Sequence, residues 1–242
     1  MQKGLWQNPE ESAIELIRMF EPPEGYWLGF SGGKDSVVLF DLAVKSGVKF
    51  EAHYNVTTVD PPELVKFIKK NYDGRVKFDY PGKPLLKRML ERGQGFPPLR
   101  NMRWCCEEYK EKGGEGRTVL TGIRDQESSR RKLRGKVEAC LKGAGKKFVH
   151  PIKDWNTTDV WDYIRQNRLL YCALYDEGFE RLGCVICPFE QNVGRSMARW
   201  PRMWETTKRH FRLLYDQRVA GDKPFKNWKN GDEMFEWWIR RK

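Results

Sequence analysis

The sequence predicts an α/β fold: an open, mostly parallel sheet of five strands with helices on both faces, followed by a C-terminal helical segment. Three observations support this prediction. Short apolar runs alternate with segments whose apolar residues recur at helical spacing. The first apolar run breaks into a glycine-rich turn that opens a helix, as in a βαβ unit. From about Arg195 onward the strand pattern does not recur.

The elements follow one another along the chain. A first helix is expected around residues 9–20, with Asn8 as its N-cap and Pro9 at its first position. Strands are expected at five apolar runs, which cover residues 26–30, 48–56, 76–80, 117–122 and 146–152. The clearest intervening helices are expected at residues 36–47 and 61–72. Ligands of such sheets bind beyond the carboxyl ends of the strands, which is where the glycine-rich turn lies.

The composition favours an anionic partner. The 242 residues include 45 lysines and arginines against 33 aspartates and glutamates, a formal net charge of +12. Such a charge favours nucleotides or nucleic acid over a membrane surface. The sequence shows no secretion signal and no apolar run long enough to span a bilayer, so a soluble, cytoplasmic protein is expected. Its six cysteines are then expected to be reduced and to act as metal ligands or catalytic thiols.

The glycine-rich loop, residues 31–36 with the sequence SGGKDS, is the first candidate site. A strand that ends in two glycines before a helix exposes backbone N–H groups that favour an anion. The pattern argues against a Walker A loop, because Leu28 stands where its first glycine belongs and Asp35 where its magnesium-binding hydroxyl belongs. The bland alternative is an ordinary glycine turn that caps a helix.

This loop resembles the PP-loop of the adenine nucleotide alpha hydrolases, the ATP pyrophosphatase superfamily. The resemblance implies that the loop binds ATP with Mg²⁺, through a set of contacts made by Ser31, Gly32, Gly33, Lys34, Asp35 and Ser36. In this interpretation Lys34 supplies a point charge to the phosphates. Asp35 orients the magnesium ion or the loop itself.

A second stretch resembles the PAPS reductase branch of that superfamily. The sequence TGIRDQESSRR, residues 121–131, is similar to its Gly-x-Arg substrate loop and contains Gly122, Arg124, Arg130 and Arg131. Guanidinium groups at the end of a strand can bind phosphate or sulfate with two hydrogen bonds. The catalytic candidates are therefore Lys34, Asp35 and Arg124.

The resemblance covers residues 26–188. The segment HPIKDWNTTDVWDYI, residues 150–164, resembles the His-Pro-x-x-x-Trp stretch of the same branch and leads into a helix capped by Asn156 or Thr157. We expect a structural role for His150, because a lone histidine at a strand end is more often a hydrogen-bonded core residue than a ligand.

Four cysteines form two separated pairs: Cys105 with Cys106, and Cys184 with Cys187. Four thiolates can bind a structural Zn²⁺ ion or a 4Fe-4S cluster. Adjacent cysteines favour the cluster, because a cluster presents separate irons to neighbouring thiolates, and the same pattern resembles that of cluster-containing sulfonucleotide reductases. Cys172 is an alternative fourth ligand, and Cys140 is expected to be a half-buried thiol.

The reaction predicted from these features is sulfur transfer. Sulfonucleotide reductases carry a nucleophilic cysteine in a C-terminal Glu-Cys-Gly-Leu-His segment, and the printed sequence has no cysteine after Cys187. The remaining features resemble PP-loop sulfurtransferases, above all the PAPS reductase-like component of Dnd-type and Ssp-type DNA phosphorothioation. That resemblance implies adenylation of a nucleic-acid oxygen, with DNA favoured over tRNA, release of pyrophosphate, and a cysteine desulfurase as sulfur donor. A sulfonucleotide reductase, a tRNA thiolation enzyme and a non-catalytic nucleotide-binding regulatory module are the alternatives.

Two domains are expected, a nucleotide-binding domain at residues 1–188 and a basic, tryptophan-rich helical segment at residues 189–242. Within the second, cations lie among tryptophans: Arg195, Arg199, Arg202, Lys208, Arg209 and Arg212 surround Trp200 and Trp204. Such a pattern can follow a phosphate backbone and stack on bases. The alternative is that the tryptophans pack against a domain while the cations form a solvated face.

Overall fold

The computed structural model describes residues 8–92, 95–139, 145–223 and 225–240. Cys140 lies outside the described residues. The helices are α1 Pro9–Met19, α2 Lys34–Ser46, α3 Pro62–Asn71, α4 Leu85–Glu91, α5 Trp104–Tyr109, α6 Ser129–Lys132, α7 Thr157–Gln166, α8 Val193–Arg199, α9 Pro201–Ala220 and α10 Gly231–Arg240. The strands are β1 Tyr26–Gly29, β2 Phe50–Asn55, β3 Val76–Asp79, β4 Thr118–Leu120, β5 Val137–Ala139 and β6 Lys147–Val149.

The strands form one six-stranded sheet in the order β3-β2-β1-β4-β6-β5. All pairs are parallel except β5 with β6, which is antiparallel. The predicted α/β fold is therefore confirmed, but the prediction of five strands is wrong by one edge strand. Chain order reverses at β1, which lies between β2 and β4. In open α/β sheets the ligand site lies at this reversal, beyond the carboxyl ends of the two strands.

The chain divides into two compact units. Unit 1 comprises the described parts of Met1–Asn55, Pro62–Asp79 and Gly113–Leu182. Unit 2 comprises those of Val56–Pro61, Tyr80–Lys112 and Gly183–Lys242. The units interleave in sequence, whereas the domain boundary expected after residue 188 assumes two consecutive segments, and that boundary stays a prediction.

Unit 1 contains the whole sheet and packs α1, α2 and α7 together. The predicted caps are confirmed, since the Asn8 side chain accepts a hydrogen bond from the Glu10 amide and the Asn156 side chain accepts one from the Asp159 amide. The Tyr26 hydroxyl donates to the carbonyl of Ile17 over 2.8 Å, which joins β1 to α1 in the buried core. These contacts fix the strand that leads into the glycine-rich loop.

Unit 2 is helical and has an aromatic core. Trp204 and Phe211 of α9 lie against Phe235 and Trp238 of α10 with ring centroids 5.2–6.3 Å apart. The Trp238 ring nitrogen also donates to the Pro98 carbonyl over 2.6 Å. Among the described helices of both units, none is long and apolar enough to cross a bilayer.

Candidate functional site

The glycine-rich loop connects β1 to α2 at the carboxyl edge of the sheet. Gly33 is the N-cap of α2 and has extended backbone geometry without a side-chain cap. The Ser31 hydroxyl lies 3.2 Å from the Ser36 hydroxyl, and the Ser36 hydroxyl donates to the Gly33 carbonyl over 2.8 Å. The first turn of a helix carries N–H groups without intrahelical acceptors, so this uncapped end is suited to an anion.

Gly32 shows why this loop needs glycine. Its φ of +71° lies in the left-handed region, and a Cβ atom there would lie 2.7 Å from Ile68 Cδ1 and 2.8 Å from Leu64 Cδ1 of α3. A larger residue would be strained by the left-handed φ and would have to push these two side chains aside. The tight turn therefore depends on close packing of its backbone against a buried helix face.

Three charged side chains meet behind the loop. Arg124 Nε lies 2.7 Å from Asp35 Oδ1, and Lys34 Nζ lies 3.4 Å from Asp35 Oδ2. The Arg124 side chain is only 4% exposed. Neither Arg124 Nε nor Asp35 Oδ1 makes an aligned hydrogen bond within the described residues. The structure thus brings the three predicted catalytic residues together as an ion-paired group with unused hydrogen-bonding capacity.

Arg124 is held from behind as well. Its Nη1 donates to the carbonyl of Trp155 over 3.3 Å, and its own amide donates to Glu127 Oε2 over 2.9 Å. Gly122 packs closely against the backbone of Asp35, because a Cβ atom on Gly122 would lie 3.0 Å from the Asp35 carbonyl oxygen. The sequence pattern predicts that Arg124 reaches out to the ligand, but its burial indicates that it also orients Asp35.

The other predicted arginines of this stretch lie elsewhere. Arg130 is exposed on α6, and among the described residues the ion pairs of Asp35 are with Lys34 and Arg124. Arg131 forms an ion pair with Glu127. A contact of Arg130 with a nucleotide stays a prediction that this geometry does not explain.

Tyr175 is a residue of the site that no sequence pattern indicated. The amide of Lys34, the first of α2, donates to the Tyr175 hydroxyl oxygen over 2.9 Å. Burial is the main cause that raises the pKa of Tyr175 above its ordinary value, so the phenol is neutral at pH 7. Tyr175 follows Lys34 by 141 residues. No local pattern of spacing could have connected them.

His150 has the structural role expected of it. It is fully buried, with Nδ1 2.6 Å from the Thr121 hydroxyl and Nε2 3.5 Å from Glu138 Oε1. Burial, followed by the nearby charge of Arg134, lowers the pKa of His150 from 6.5 to about 4. The neutral ring fixes Thr121 at the end of β4, next to Gly122.

This histidine predicts acid sensitivity. Between pH 6.5 and pH 4 the unfolded chain binds a proton at His150 that the folded chain does not, so the free energy of unfolding falls as the pH falls. A pKa lowered from 6.5 to about 4 corresponds to roughly 3 kcal/mol of stability at neutral pH. Urea unfolding at pH 7, 5.5 and 4 is expected to show this loss in the wild type and a smaller loss in His150→Asn. Equal losses in both proteins would contradict the assignment.

Unit 2 contains the cysteine quartet, Cys105, Cys106, Cys184 and Cys187. These thiols influence one another's ionisation. Cys106, Cys184 and Cys187 each contribute to raising the pKa of Cys105. A hydrogen bond from Cys105, together with the Arg103 guanidinium, lowers the pKa of Cys106 to about 5. The two sequence pairs therefore lie within electrostatic range of one another, with Arg103 beside Cys106.

Further contacts surround the quartet. The Cys184 thiol lies 3.4 Å from the Thr57 hydroxyl, and Cys184 is the main cause that raises the pKa of Lys110. Cys172, the alternative fourth ligand, belongs to unit 1 and is 1% exposed. Within the described ranges, no group of three or more His, Cys, Asp or Glu side chains is spaced to hold a single metal ion. A bound cluster stays a prediction.

The C-terminal tryptophans are packed inside unit 2. Trp200 is 7% exposed and Trp204 is 3% exposed, and the Trp204 ring nitrogen donates to the Ser196 hydroxyl over 3.0 Å. The hypothesis that these rings stack on bases is therefore wrong, because the aromatic core already covers them. Arg195, Arg202 and Arg209 remain exposed.

The fold and the glycine-rich loop define the class: the chain has the fold of the adenine nucleotide alpha hydrolases. Residues 25–190 match the family of the phosphoadenosine phosphosulfate reductase domain. Because that match covers most of the chain, the protein belongs to this family. The resemblance inferred from the two loops is confirmed at that level.

Three curated relatives show what the chain is similar to. An uncharacterized protein of Methanocaldococcus jannaschii is 30% identical over 221 residues, which cover 83% of this chain and 51% of the relative. The chain also matches a second uncharacterized protein of the same organism and covers 48% of its length. The chain therefore spans about half the length of these two relatives. An adenosine 5'-phosphosulfate reductase of Allochromatium vinosum is 26% identical over 230 residues, 89% of this chain and 88% of that protein.

Among solved structures, a phosphoadenylyl-sulfate reductase from Candida auris superposes with a TM-score of 0.56 at 18% identity. The superposition covers 72% of this chain and 88% of that one. At this identity the likeness establishes the fold.

Proposed function

We propose that the protein binds an adenosine 5'-phosphate anhydride at the glycine-rich loop and cleaves it to AMP, with adenosine 5'-phosphosulfate as the first candidate substrate. The observation that carries this proposal is the amino end of α2, where the N-cap residue Gly33 supplies no side-chain cap, beside the group of Lys34, Asp35 and Arg124. Amides, a lysine and a buried guanidinium with an unaligned Nε together suit a multiply charged anion.

Relatives favour the phosphosulfate. A protein named as an adenosine 5'-phosphosulfate reductase matches this chain over most of both lengths. In such a reaction a thiol attacks the sulfur, the sulfur–oxygen bond to the phosphate breaks, and AMP leaves with the bridging oxygen. A second thiol then releases sulfite as a disulfide forms. Cys172 is buried, and we assign the quartet Cys105, Cys106, Cys184 and Cys187 to the cluster proposed below, so an added dithiol supplies both thiols in the assay.

A second candidate substrate is ATP with Mg²⁺, and Asp35 favours it. Magnesium ions in nucleotide sites are bound by one or two carboxylates together with the substrate phosphates. Asp35 places a carboxylate in the first turn of α2, where it could bind the magnesium ion that accompanies ATP. A phosphosulfate does not need such an ion. In this version the enzyme adenylates an oxygen of a nucleic acid and releases pyrophosphate, with DNA favoured over tRNA as the substrate. A cysteine desulfurase then supplies the sulfur.

We also infer that the cysteine quartet holds a 4Fe-4S cluster. Four sulfur donors from two chain segments affect one another's charge, and Arg103 and Lys110 lie close enough to offset the negative charge of thiolates. Cys105, Cys106, Cys184 and Cys187 would hold the cluster. A bound cluster would supply one-electron redox chemistry and would link the two segments.

Product analysis tests the proposed function. Purified protein is incubated with adenosine 5'-phosphosulfate and dithiothreitol, or with ATP, Mg²⁺ and duplex DNA, and the products are separated. AMP with sulfite is the expected result for the first candidate. For the second it is pyrophosphate, with the AMP group on the DNA or released from it when water displaces it. ADP with inorganic phosphate would contradict the proposal. Nucleotide binding without turnover would make the protein a regulatory module instead.

The nucleic-acid version makes its own prediction about α8 and α9. Replacing Arg195, Arg199 and Arg202 by alanine is expected to reduce the slope of log affinity against log salt by roughly two to three units, since each phosphate contact adds close to one unit. Fluorescence anisotropy with a duplex at several salt concentrations measures it. A charge-matched control replaces the exposed lysines of α3, Lys66, Lys69 and Lys70. Equal slopes in both triple variants would exclude α8 and α9 as the nucleic-acid surface.

A further inference from the structure

Tyr175 lies directly in front of the anion site. Its hydroxyl oxygen accepts the Lys34 amide over 2.9 Å and would lie 3.3 Å from a Cβ atom placed on Gly33. Lys34 Nζ lies 5.6 Å from the centre of the Tyr175 ring. The phenol oxygen therefore occupies the position from which a phosphate oxygen would accept the first amide of α2.

Two roles are compatible with that position. The hydroxyl either blocks the site until a nucleotide displaces it, or remains there as part of the site. A hydroxyl has one donor and two acceptor positions. The oxygen is already engaged by the Lys34 amide, but within the described part of the chain the Tyr175 O–H has no acceptor. The donor is thus available to an anion bound in the loop.

The surroundings of Tyr175 favour the second role. Its amide donates to the Cys172 carbonyl over 3.1 Å, and its carbonyl accepts from the Gly178 amide over 3.0 Å. Its ring meets Trp161 at 5.1 Å and Tyr171 at 6.3 Å, both edge to face. Both backbone and ring are fixed, so moving the phenol aside would break contacts on two sides.

We propose that Tyr175 is a ligand of the nucleotide: its oxygen holds the Lys34 amide while its O–H donates to a phosphate or sulfate oxygen bound at the glycine-rich loop. This inference rests on the proposed function and adds to it a binding residue from a distant segment. The two roles predict opposite signs for the loss of the hydroxyl. Removing a ligand weakens binding, whereas removing a block strengthens it.

Isothermal titration of the full chain with AMP, inorganic pyrophosphate and adenosine tests the inference. Tyr175→Phe keeps the ring and its contacts with Trp161 and Tyr171 but loses the hydroxyl. Because the lost hydrogen bond involves a charged acceptor, affinity for AMP and for pyrophosphate is expected to fall on the order of tenfold or more. Affinity for adenosine, which has no phosphate, is expected to change much less.

Tyr171→Phe is the matched control. Its hydroxyl bonds to Asp176 within the same segment, so this variant loses one phenol oxygen away from the loop. We expect it to bind all three probes like the wild type. The ratio of AMP affinity to adenosine affinity does not depend on the fraction of folded protein, so it separates a lost ligand from a disturbed fold.

Three outcomes would overturn the inference. AMP binding by Tyr175→Phe at or above the wild-type affinity would make the phenol a bystander or a block. Equal losses for AMP and adenosine would assign it a structural role. A wild-type protein that binds neither AMP nor pyrophosphate would contradict the proposed function, and the inference with it. That outcome is measured on the wild type alone, so it is distinguishable from the other two.

Discussion

Serine in place of any one member of the cysteine quartet is expected to abolish most of the iron and acid-labile sulfide that the protein carries after anaerobic purification. Each thiolate of a 4Fe-4S cluster ligates its own iron, so the loss of one ligand exposes the cluster. Because metal binding and folding are coupled, the thermal midpoint of unfolding is expected to fall when the cluster is lost. Iron and sulfide analysis, absorption spectra and thermal unfolding measure both effects.

Cys172→Ser is the control for this series, because Cys172 is a buried cysteine outside the quartet. It is expected to keep its iron even if its buried position lowers stability. Iron retained in Cys106→Ser and lost in Cys172→Ser would instead make Cys172 the fourth ligand. One zinc per chain and no iron in the wild type would replace the cluster by a zinc site.

Lys34→Ala is expected to have the largest effect on nucleotide binding. The Lys34 side chain is 8% exposed, and its ammonium lies between Asp35 and the carbonyl of Glu180. A charged hydrogen bond contributes about 1.5–3 kcal/mol, so the dissociation constant for AMP or ATP is expected to rise roughly tenfold to a hundredfold. Isothermal titration measures this change directly.

The control for Lys34→Ala is Lys45→Ala. Lys45 lies in the last turn of the same helix and pairs with Glu10 over 2.7 Å. Its loss changes the net charge of the protein equally but leaves the loop intact. If both variants lose affinity to the same extent, long-range charge rather than contact accounts for binding, and the assignment of the loop is wrong.

Much of the fold follows from local patterns, and the part that was missed has a physical reason. The strands that form β1 to β4 and β6 are apolar runs between turns, and each is found close to its expected position. β5 has only three residues, Val137–Ala139, of which two are exposed. A strand that buries no apolar face has no apolar alternation in its sequence. Its pairing to β6 is visible only in three dimensions.

The candidate site was predictable only where one segment carries it. The glycine-rich loop combines strand, turn and helix start within a few residues, so its position and its glycines could be inferred. The contacts of Arg124 and Tyr175 depend on how distant segments meet. For Trp200 and Trp204, helical spacing beside cations predicts a packed face and a nucleic-acid surface equally well, and their burial within unit 2 decides between them.

The central claim is that the glycine-rich loop binds the phosphates of an adenine nucleotide. Amide chemical shifts of protein labelled with ¹⁵N-glycine and ¹⁵N-lysine, recorded during titration with AMP and then with inorganic pyrophosphate, test it most directly. The account predicts that both probes shift the resonances of Gly32, Gly33 and Lys34, and that for each probe the three resonances follow one saturation curve. Lys34→Ala is expected to raise the dissociation constant obtained from the glycine resonances. Loop resonances that stay in place while other amides shift with saturation would contradict it.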